Sequence, residues 1–181
     1  MERLRLVFSG SGGQGVITAA IILAEAAVLH ENLLATQTQT YGPEARGGAT
    51  RSDVIIADSE IYFPKVIQPN VLVCLTQEAY MKFYDIVRPG GLLITDPRHV
   101  TILQTVDSRQ IEIPMHAAVM DNIGDLLVYN ICMLGALLAL TQVVSIDSVI
   151  KVLETRMPPS SLPMNRRAMD LGIALGAKHN V

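Results

Sequence analysis

Apolar positions along the chain fall into short runs that alternate with longer, helix-like stretches. "LRLVF" (Leu4–Phe8) is continuously apolar and ends in glycines, the pattern of a buried first strand. "GVITAAIILAEAAVL" (Gly15–Leu29) is long, Ala-rich and apolar on nearly every side up to Glu25, which predicts a helix buried on more than one face. "NLLATQTQ" (Asn32–Gln39) alternates partly and predicts a second strand. "RSDVIIAD" and "EIYFP" (Arg51–Pro64) read as two extended runs joined by a tight Asp58-Ser59 turn, a hairpin. "VLVCL" (Val71–Leu75) and "LLITD" (Leu92–Asp96) are two more apolar strands. Between them lies a helix, "QEAYMKFYDIV", capped by Thr76 and ended by "RPGG". "RQIEIP" (Arg109–Pro114) alternates like an edge strand.

From about Ile123 the pattern turns helical: "DLLVYNICMLGALLAL", "SIDSVIKVLETR" and "NRRAMDLGIALGAK". Pro158, Pro159 and Pro163 separate the last two, in a loop too short to divide domains. A strand, a glycine loop, a helix and a strand at the start imply a right-handed crossover. The expected fold is therefore a single α/β domain over residues 1–181 with a Rossmann-like start. It would be a three-layer α/β/α sandwich with helices on both faces, its mostly parallel sheet made mixed by the hairpin.

Composition adds limits. Of 181 residues half are apolar, aromatics are 4% and there is no Trp, so the core must be built from Leu, Ile, Val, Ala and Met. Charged residues make up 17%, below the roughly 25% of an average soluble domain. Two readings stay open: a surface partly covered by other subunits, or a well-filled α/β core. A net charge of −3 without a basic run argues against nucleic-acid binding. The two cysteines, Cys74 and Cys132, lie in apolar runs and form no CxxC, so the chain cannot ligate an iron–sulfur cluster by itself. Buried reduced thiols, and no signal peptide in Met1–Phe8, point to the cytoplasm. The longest apolar run, Leu126–Leu140, contains Asn130 and falls short of the about 20 residues of a membrane span; it reads as a core or interface helix.

Two glycine-rich segments carry the candidate chemistry. "GSGGQG" (Gly10–Gly15) places Gly10, Gly12, Gly13, Gln14 and Gly15 after a strand and before a helix, where backbone N–H groups and the helix dipole suit a phosphate or another anion. A dinucleotide fold also wants an acid about 20 residues on, and here that region reads "LLATQTQT". The same missing acid counts against an S-adenosylmethionine methyltransferase, which "RPGGLLITD" would otherwise fit. A tight connection without any ligand remains open. The second segment, "TQTYGPEARGGATR" (Thr38–Arg51), holds Tyr41, Glu44, Arg46, Gly47, Gly48 and Arg51. Arginine forks bind carboxylate or phosphate bidentately; the alternative is an internal Glu44–Arg46 or Arg51–Asp53 pair that shapes the loop. In an open parallel sheet both segments are expected at one edge. The four histidines are scattered in the sequence without metal-ligand spacing, and there is no G-x-S-x-G elbow. Asp96, Asp121, Asp125 and Glu78 are acid or base candidates whose simpler roles are helix caps and surface charges.

Taken together, "GSGGQGVITAAIILAEAA", "ATQTQTYGPEARGGATRSDVIIAD", "PNVLVCLTQEAY" and "VRPGGLLITDP" resemble the gamma subunit, or gamma domain, of the 2-oxoacid:ferredoxin oxidoreductases. The resemblance runs through the whole chain in order, most closely up to Pro97. It implies a multi-subunit enzyme that turns a 2-oxoacid, coenzyme A and oxidised ferredoxin into acyl-CoA, carbon dioxide and reduced ferredoxin. Thiamine diphosphate, magnesium and the iron–sulfur clusters are then expected on the alpha, beta and delta subunits or shared with them, and this chain firmly holds no cofactor and no metal. Its own role would be accessory, with no catalytic residue. Tyr41, Glu44, Arg46, Gly47, Gly48 and Arg51 would meet a partner subunit or the edge of the active site beside the Gly10–Gly15 turn. "TYGPEARGGATRSDVIIAD" looks more like the 2-oxoglutarate type than the pyruvate type. The isolated chain is expected to be inactive, as a monomer or a homodimer. The alternative is a stand-alone nucleotide-binding module, which would bind a nucleotide without partners.

Overall fold

The computed structural model describes residues 3–40 and 48–179. Six strands form one sheet: β1 (Leu4–Gly10), β2 (Leu34–Thr40), β3 (Thr50–Ala57), β4 (Val71–Cys74), β5 (Gly91–Thr95) and β6 (Ser108–Glu112), in the order β2-β3-β1-β4-β5-β6. The helices are α1 (Val16–His30), α2 (Gln77–Phe83), α3 (Met115–Asn122), α4 (Tyr129–Thr141), α5 (Ile146–Arg156) and α6 (Leu162–Ala177). β1, β4, β5 and β6 pair in parallel, whereas β3 runs antiparallel to both β1 and β2. The α/β class and the mixed, mostly parallel sheet thus agree with the sequence.

The source of the mixing differs from expectation. Arg51–Asp58 and Glu60–Pro64 do not pair as a hairpin; β3 is a single strand that reverses against β2, and Glu60–Pro64 contains no strand. The reason is that β3 already has a neighbour on each side, so a further strand has nowhere to pair, and Pro64 lacks a donor. β2 begins at Leu34 rather than Asn32, because Asn32 turns the chain with φ of 53°. One helix, α3, was not expected at all: it is short, and only Met115 and Val119 are buried.

Strand alternation splits the core into two layers of unequal size. Leu6, Phe8, Val54, Ile56, Val73 and Ile94 face α1 and the helices from α3 onward. Val7, Ile55, Leu72, Cys74 and Leu93 face α2 through Ala79, Tyr80 and Phe83, with loop residues such as Val66 and Val100 completing that side. The sandwich is therefore thick on one face and thin on the other. α4 is buried all round from Tyr129 to Leu138, so the longest apolar run of the sequence is a core helix. No helix among the described residues is long and apolar enough to cross a membrane.

Several helix ends are closed as their sequences dictate. Thr76 Oγ1 accepts from the Ala79 N–H at 3.1 Å, and Ser145 Oγ from the Ser148 N–H at 3.1 Å. Glu31, just past α1, reaches the start of α5: its Oε1 accepts the Ser145 N–H at 2.8 Å and the Ser148 hydroxyl at 2.6 Å. These bonds, the Ser148 hydroxyl first, hold the Glu31 carboxyl below its ordinary 4.5. A lowered folded value means that the unfolded chain binds the proton more readily. The contribution is complete above pH 4.5 and is lost as pH falls through the folded value. Glu31→Gln is expected to lower the melting temperature at pH 7 and to leave it nearly unchanged at pH 3. An equal loss at both pH values in thermal melts would refute the assignment.

Candidate functional site

The parallel strands β1, β4, β5 and β6 end on one edge of the sheet. Because β3 is antiparallel, its first residues lie on that edge too: Gly10 is in register with Thr50, and Thr40 with Arg51. The glycine turn and the ends of the arginine-bearing loop are therefore neighbours. Ser9 Oγ ties them directly by donating to the Thr50 carbonyl at 3.0 Å.

The Gly10–Gly15 turn is held from inside by Gln14. The Gln14 Oε1 accepts the Ser11 N–H at 2.8 Å, and its Nε2 donates to the Leu75 carbonyl at 2.9 Å, fastening the turn to the end of β4. Gly15 sits at φ of 71°, where a side chain would be strained, and a Cβ there would lie 2.6 Å from Asn130 Nδ2. Asn130 Nδ2 in turn donates to the Gly15 carbonyl at 3.3 Å. Gly12 and Gly13 form the exposed tip, while Gly10 is buried. No side chain caps α1, and no acid occupies its first turn. A cavity of about 250 Å³ opens beside Gly13, Gln14 and Gly15, closed on its far side by Asp125, Leu127 and Asn130. The carboxylate of Asp125 in that wall makes the cavity a poorer anion site than the glycine pattern alone implies, although its Oδ1 accepts the Leu127 N–H at 2.9 Å.

Arg51 does not offer a free fork. Its guanidinium makes a bidentate pair with Asp53, at 2.6 and 3.0 Å, and also donates to the Val66 carbonyl. Asp53 completes the loop by accepting the Val66 N–H at 3.0 Å, and the Arg51 guanidinium lies 5.4 Å from the centre of the Phe83 ring. Among the described residues, the internal Arg51–Asp53 pair open from the sequence is formed. It pins the segment around Val66 onto the sheet and lines a cavity of about 610 Å³ that also has Lys65 and Lys82 in its wall. Gly48 is half-buried just ahead of β3. Tyr41, Glu44, Arg46 and Gly47 lie outside the described residues. Glu78, one of the acid candidates, accepts the Ala49 N–H at 3.2 Å.

Farther along the same edge is a cluster that spacing in the sequence does not reveal. Asp96, fully buried just after β5, accepts the His116 N–H at 2.7 Å and the Tyr129 hydroxyl at 2.9 Å on Oδ2, and the Arg98 N–H at 3.0 Å on Oδ1. The His99 and His116 rings meet edge to face at 4.8 Å, with the Tyr129 ring 6.3 and 6.1 Å away. Burial pushes the Tyr129 hydroxyl well above its ordinary value, so it stays a donor, and burial lowers His99 against the opposing pull of Asp96. With three donors satisfied, this carboxylate organises the ends of β5, α3 and α4. Asp96 was a candidate in the sequence, but the two partners on its Oδ2 come from residues 20 and 33 positions away.

The two cysteines lie on opposite faces of the sheet, Cys74 with α2 and Cys132 within α4. Burial raises both thiols, Cys132 to about 12, so they suit neither a shared cluster nor a thiolate nucleophile. Among the described residues no group of three His, Cys, Asp or Glu side chains is placed to hold a metal ion.

Comparison with known proteins covers nearly the whole chain. The profile of the family "Pyruvate ferredoxin/flavodoxin oxidoreductase" matches residues 5–175. The 2-oxoglutarate synthase subunit KorC of Methanocaldococcus jannaschii is 44% identical over 172 residues, which is 94% of this chain and 92% of that protein. The crystal structure of the keto/oxoacid ferredoxin oxidoreductase gamma subunit from Geobacter sulfurreducens superposes with a TM-score of 0.90 at 36% identity, covering 98% of each chain. The 2-oxoglutarate:ferredoxin oxidoreductase of Magnetococcus marinus, at 23% identity, shares the fold with a TM-score of 0.88 over 98% of this chain and 32% of its own.

Proposed function

The chain belongs to the pyruvate ferredoxin/flavodoxin oxidoreductase family, as a gamma-type subunit, and we propose that it serves a 2-oxoglutarate:ferredoxin oxidoreductase. That enzyme oxidatively decarboxylates 2-oxoglutarate with coenzyme A to succinyl-CoA, carbon dioxide and reduced ferredoxin. The observation that carries this reading is the 44% identity, spread over 94% of the chain, to a subunit of 2-oxoglutarate synthase.

Thiamine diphosphate supplies the decarboxylation chemistry in such an enzyme, and iron–sulfur clusters the route for single electrons. The described residues do not fit an iron–sulfur cluster, since the cysteines are separated by the sheet and no set of metal ligands converges among them. In our reading those cofactors, with magnesium, belong to the alpha, beta and delta subunits, in the cytoplasm. This chain contributes a rigid edge: the self-clamped glycine turn beside the two ends of the loop at 41–47. That segment, with Tyr41, Glu44, Arg46, Gly47 and the adjoining Gly48, meets a partner subunit or the border of the active site, whereas Arg51 is paired internally with Asp53.

Anaerobic isolation of the protein from its own cells, followed by native mass spectrometry, tests the assembly. Co-isolation with larger subunits, and turnover of 2-oxoglutarate at least tenfold faster than of pyruvate, are the expected results. A pyruvate preference would correct the substrate, and isolation without any such subunit would overturn the function. Within the complex, Arg46→Ala and Gly47→Val are expected to reduce the recovery of assembled enzyme. Normal assembly and turnover in both would remove the role given to the loop.

A further inference from the structure

α3 is lightly anchored for a helix at the edge that carries the glycine turn. It has eight residues, no side chain caps its start, and only Met115 and Val119 are buried. Asp96 fastens its first turn to the end of β5 by accepting the His116 N–H on Oδ2 at 2.7 Å. Its last turn is held by Arg167, whose guanidinium donates to the Asn122 carbonyl at 2.7 Å. So few buried contacts leave a short helix free to open locally without unfolding the rest of the chain.

Two imidazoles meet at that first turn. His99 and His116, both half-buried, pack edge to face with centroids 4.8 Å apart, and the Tyr129 ring lies against both. This packing favours a neutral His99, because a proton there puts a cation into a place partly closed to water. Among the described residues, the charged and titratable groups that act on His99 are Asp96 and Arg98 after β5 and His116 on α3. On α4, burial keeps Tyr129 a neutral phenol and Cys132 a neutral thiol. Asp96 draws a proton toward His99, but it already accepts three hydrogen bonds. Burial outweighs its pull, and Arg98 and His116 add to the effect, so His99 is held below its ordinary 6.5.

We propose that the His99–His116 contact is a latch that holds α3 to this edge at neutral pH and releases it when His99 takes up a proton. With α3 released, His99 is an ordinary solvated histidine and binds a proton more readily than the packed ring does. The latch is therefore at full strength above pH 6.5 and weakens as pH falls toward the lower value of the packed ring. Linkage to a single proton limits the growth of the open population to about tenfold per pH unit. The change reaches the glycine turn through α4. Tyr129 packs against both rings, and the next residue, Asn130, donates to the Gly15 carbonyl at 3.3 Å. Asp125 and Leu127, which wall the cavity beside Gly13, Gln14 and Gly15, directly follow α3 in the chain. Acid thus loosens one wall of that cavity and leaves the Gln14 clamp of the turn in place.

Hydrogen exchange on the full chain, resolved by amide and corrected for the intrinsic effect of pH, tests the latch. From about pH 7.5 to about pH 5.5 the protection of α3 amides is expected to fall about threefold or more, while that of α4 and α6 holds. His99→Phe keeps a ring beside His116 and takes no proton, so its α3 is expected to stay protected at both pH values. If that variant does not fold, His99→Gln serves as the non-titrating side chain. An NMR titration reads the same device directly. The His99 ring is expected to titrate below 6.5 in the wild type and closer to 6.5 in His116→Phe, where a neighbour that opposes its proton is gone. Equal protection of wild-type α3 at both pH values overturns the proposal, as does a pH-dependent loss that persists in the non-titrating variant. A loss shared equally by α4 and α6 also overturns it, because the opening is then global. None of these outcomes depends on the assembled enzyme or on which 2-oxoacid it uses.

Discussion

Gly172→Val is expected to cost about 4 kcal/mol or more of folding free energy, enough to leave much of the protein unfolded at 37 °C. α4 and α6 cross at backbone contact. A Cβ on Gly172 would lie 1.9 Å from the Cys132 carbonyl oxygen and 2.9 Å from the Ala136 amide nitrogen. Neither atom can move aside as a flexible side chain would, because both belong to the buried core helix. The only relief is to push α6 away from α4, which opens the packing of Cys132, Ala136, Ala168 and Met169 together. For a chain of this length the loss corresponds to a fall of roughly 8–16 °C in melting temperature. Gly13→Ala is the control: a Cβ there meets nothing within 4 Å, and its melting temperature should stay within about 1 °C of wild type. A Gly172→Val protein that melts with the wild type would mean that the helices do not touch in this way.

This contact shows where sequence reading runs out. The apolar runs at Leu4–Phe8, Val71–Leu75 and Leu92–Asp96 are legible as strands because burial on both faces removes any need for polar alternation. Thr76, followed by a helical pattern, is legible as a cap because the bond it makes is local. Gly172 has no such local signature. In the sequence it is one small residue in a helix, and only the path of α4 past it, at Cys132 and Ala136, makes its missing side chain necessary. The misplaced hairpin has the same cause. "EIYFP" looks extended by composition, but pairing depends on which strands already occupy the sheet, and β3 is flanked by β1 and β2.

The candidate site divides along the same line. The G-x-G-x-x-G spacing and its place between strand and helix were visible. That Gln14 locks the turn to Leu75 was not, since the partner lies 61 residues away. Arg51 stood out as a cation in a glycine loop, and Asp53 two residues on, alternating to the same face of β3, was the clue that its charge is used internally. The histidines were scattered in sequence, and only the parallel crossover from β5 to β6 and on into α3 brings His116 beside His99. Local chemistry was readable, whereas chemistry assembled across the sheet needed the topology.

Asp96 provides the second large effect. Asp96→Ala strips the acceptors from the Tyr129 hydroxyl and the His116 and Arg98 amides and leaves a void among packed groups, at an expected cost of about 3–4 kcal/mol. Asp96→Asn should recover roughly half of that. The asparagine carbonyl can turn toward Tyr129 and His116, the two donors that share Oδ2, but its amino group then meets the Arg98 N–H, where no acceptor remains. The hydroxyl of Tyr129 is held protonated by burial, so removing it in Tyr129→Phe deletes a true donor rather than a charge. In that background Asp96→Ala loses one fewer bond, and the coupling between the two changes should amount to about 1–2 kcal/mol in chemical denaturation. Additive losses in this double-mutant cycle would show that the carboxylate and the phenol stabilise the end of β5 independently. Coupled losses would identify Asp96 as the joint through which β5, α3 and α4 hold this edge of the sheet in one piece.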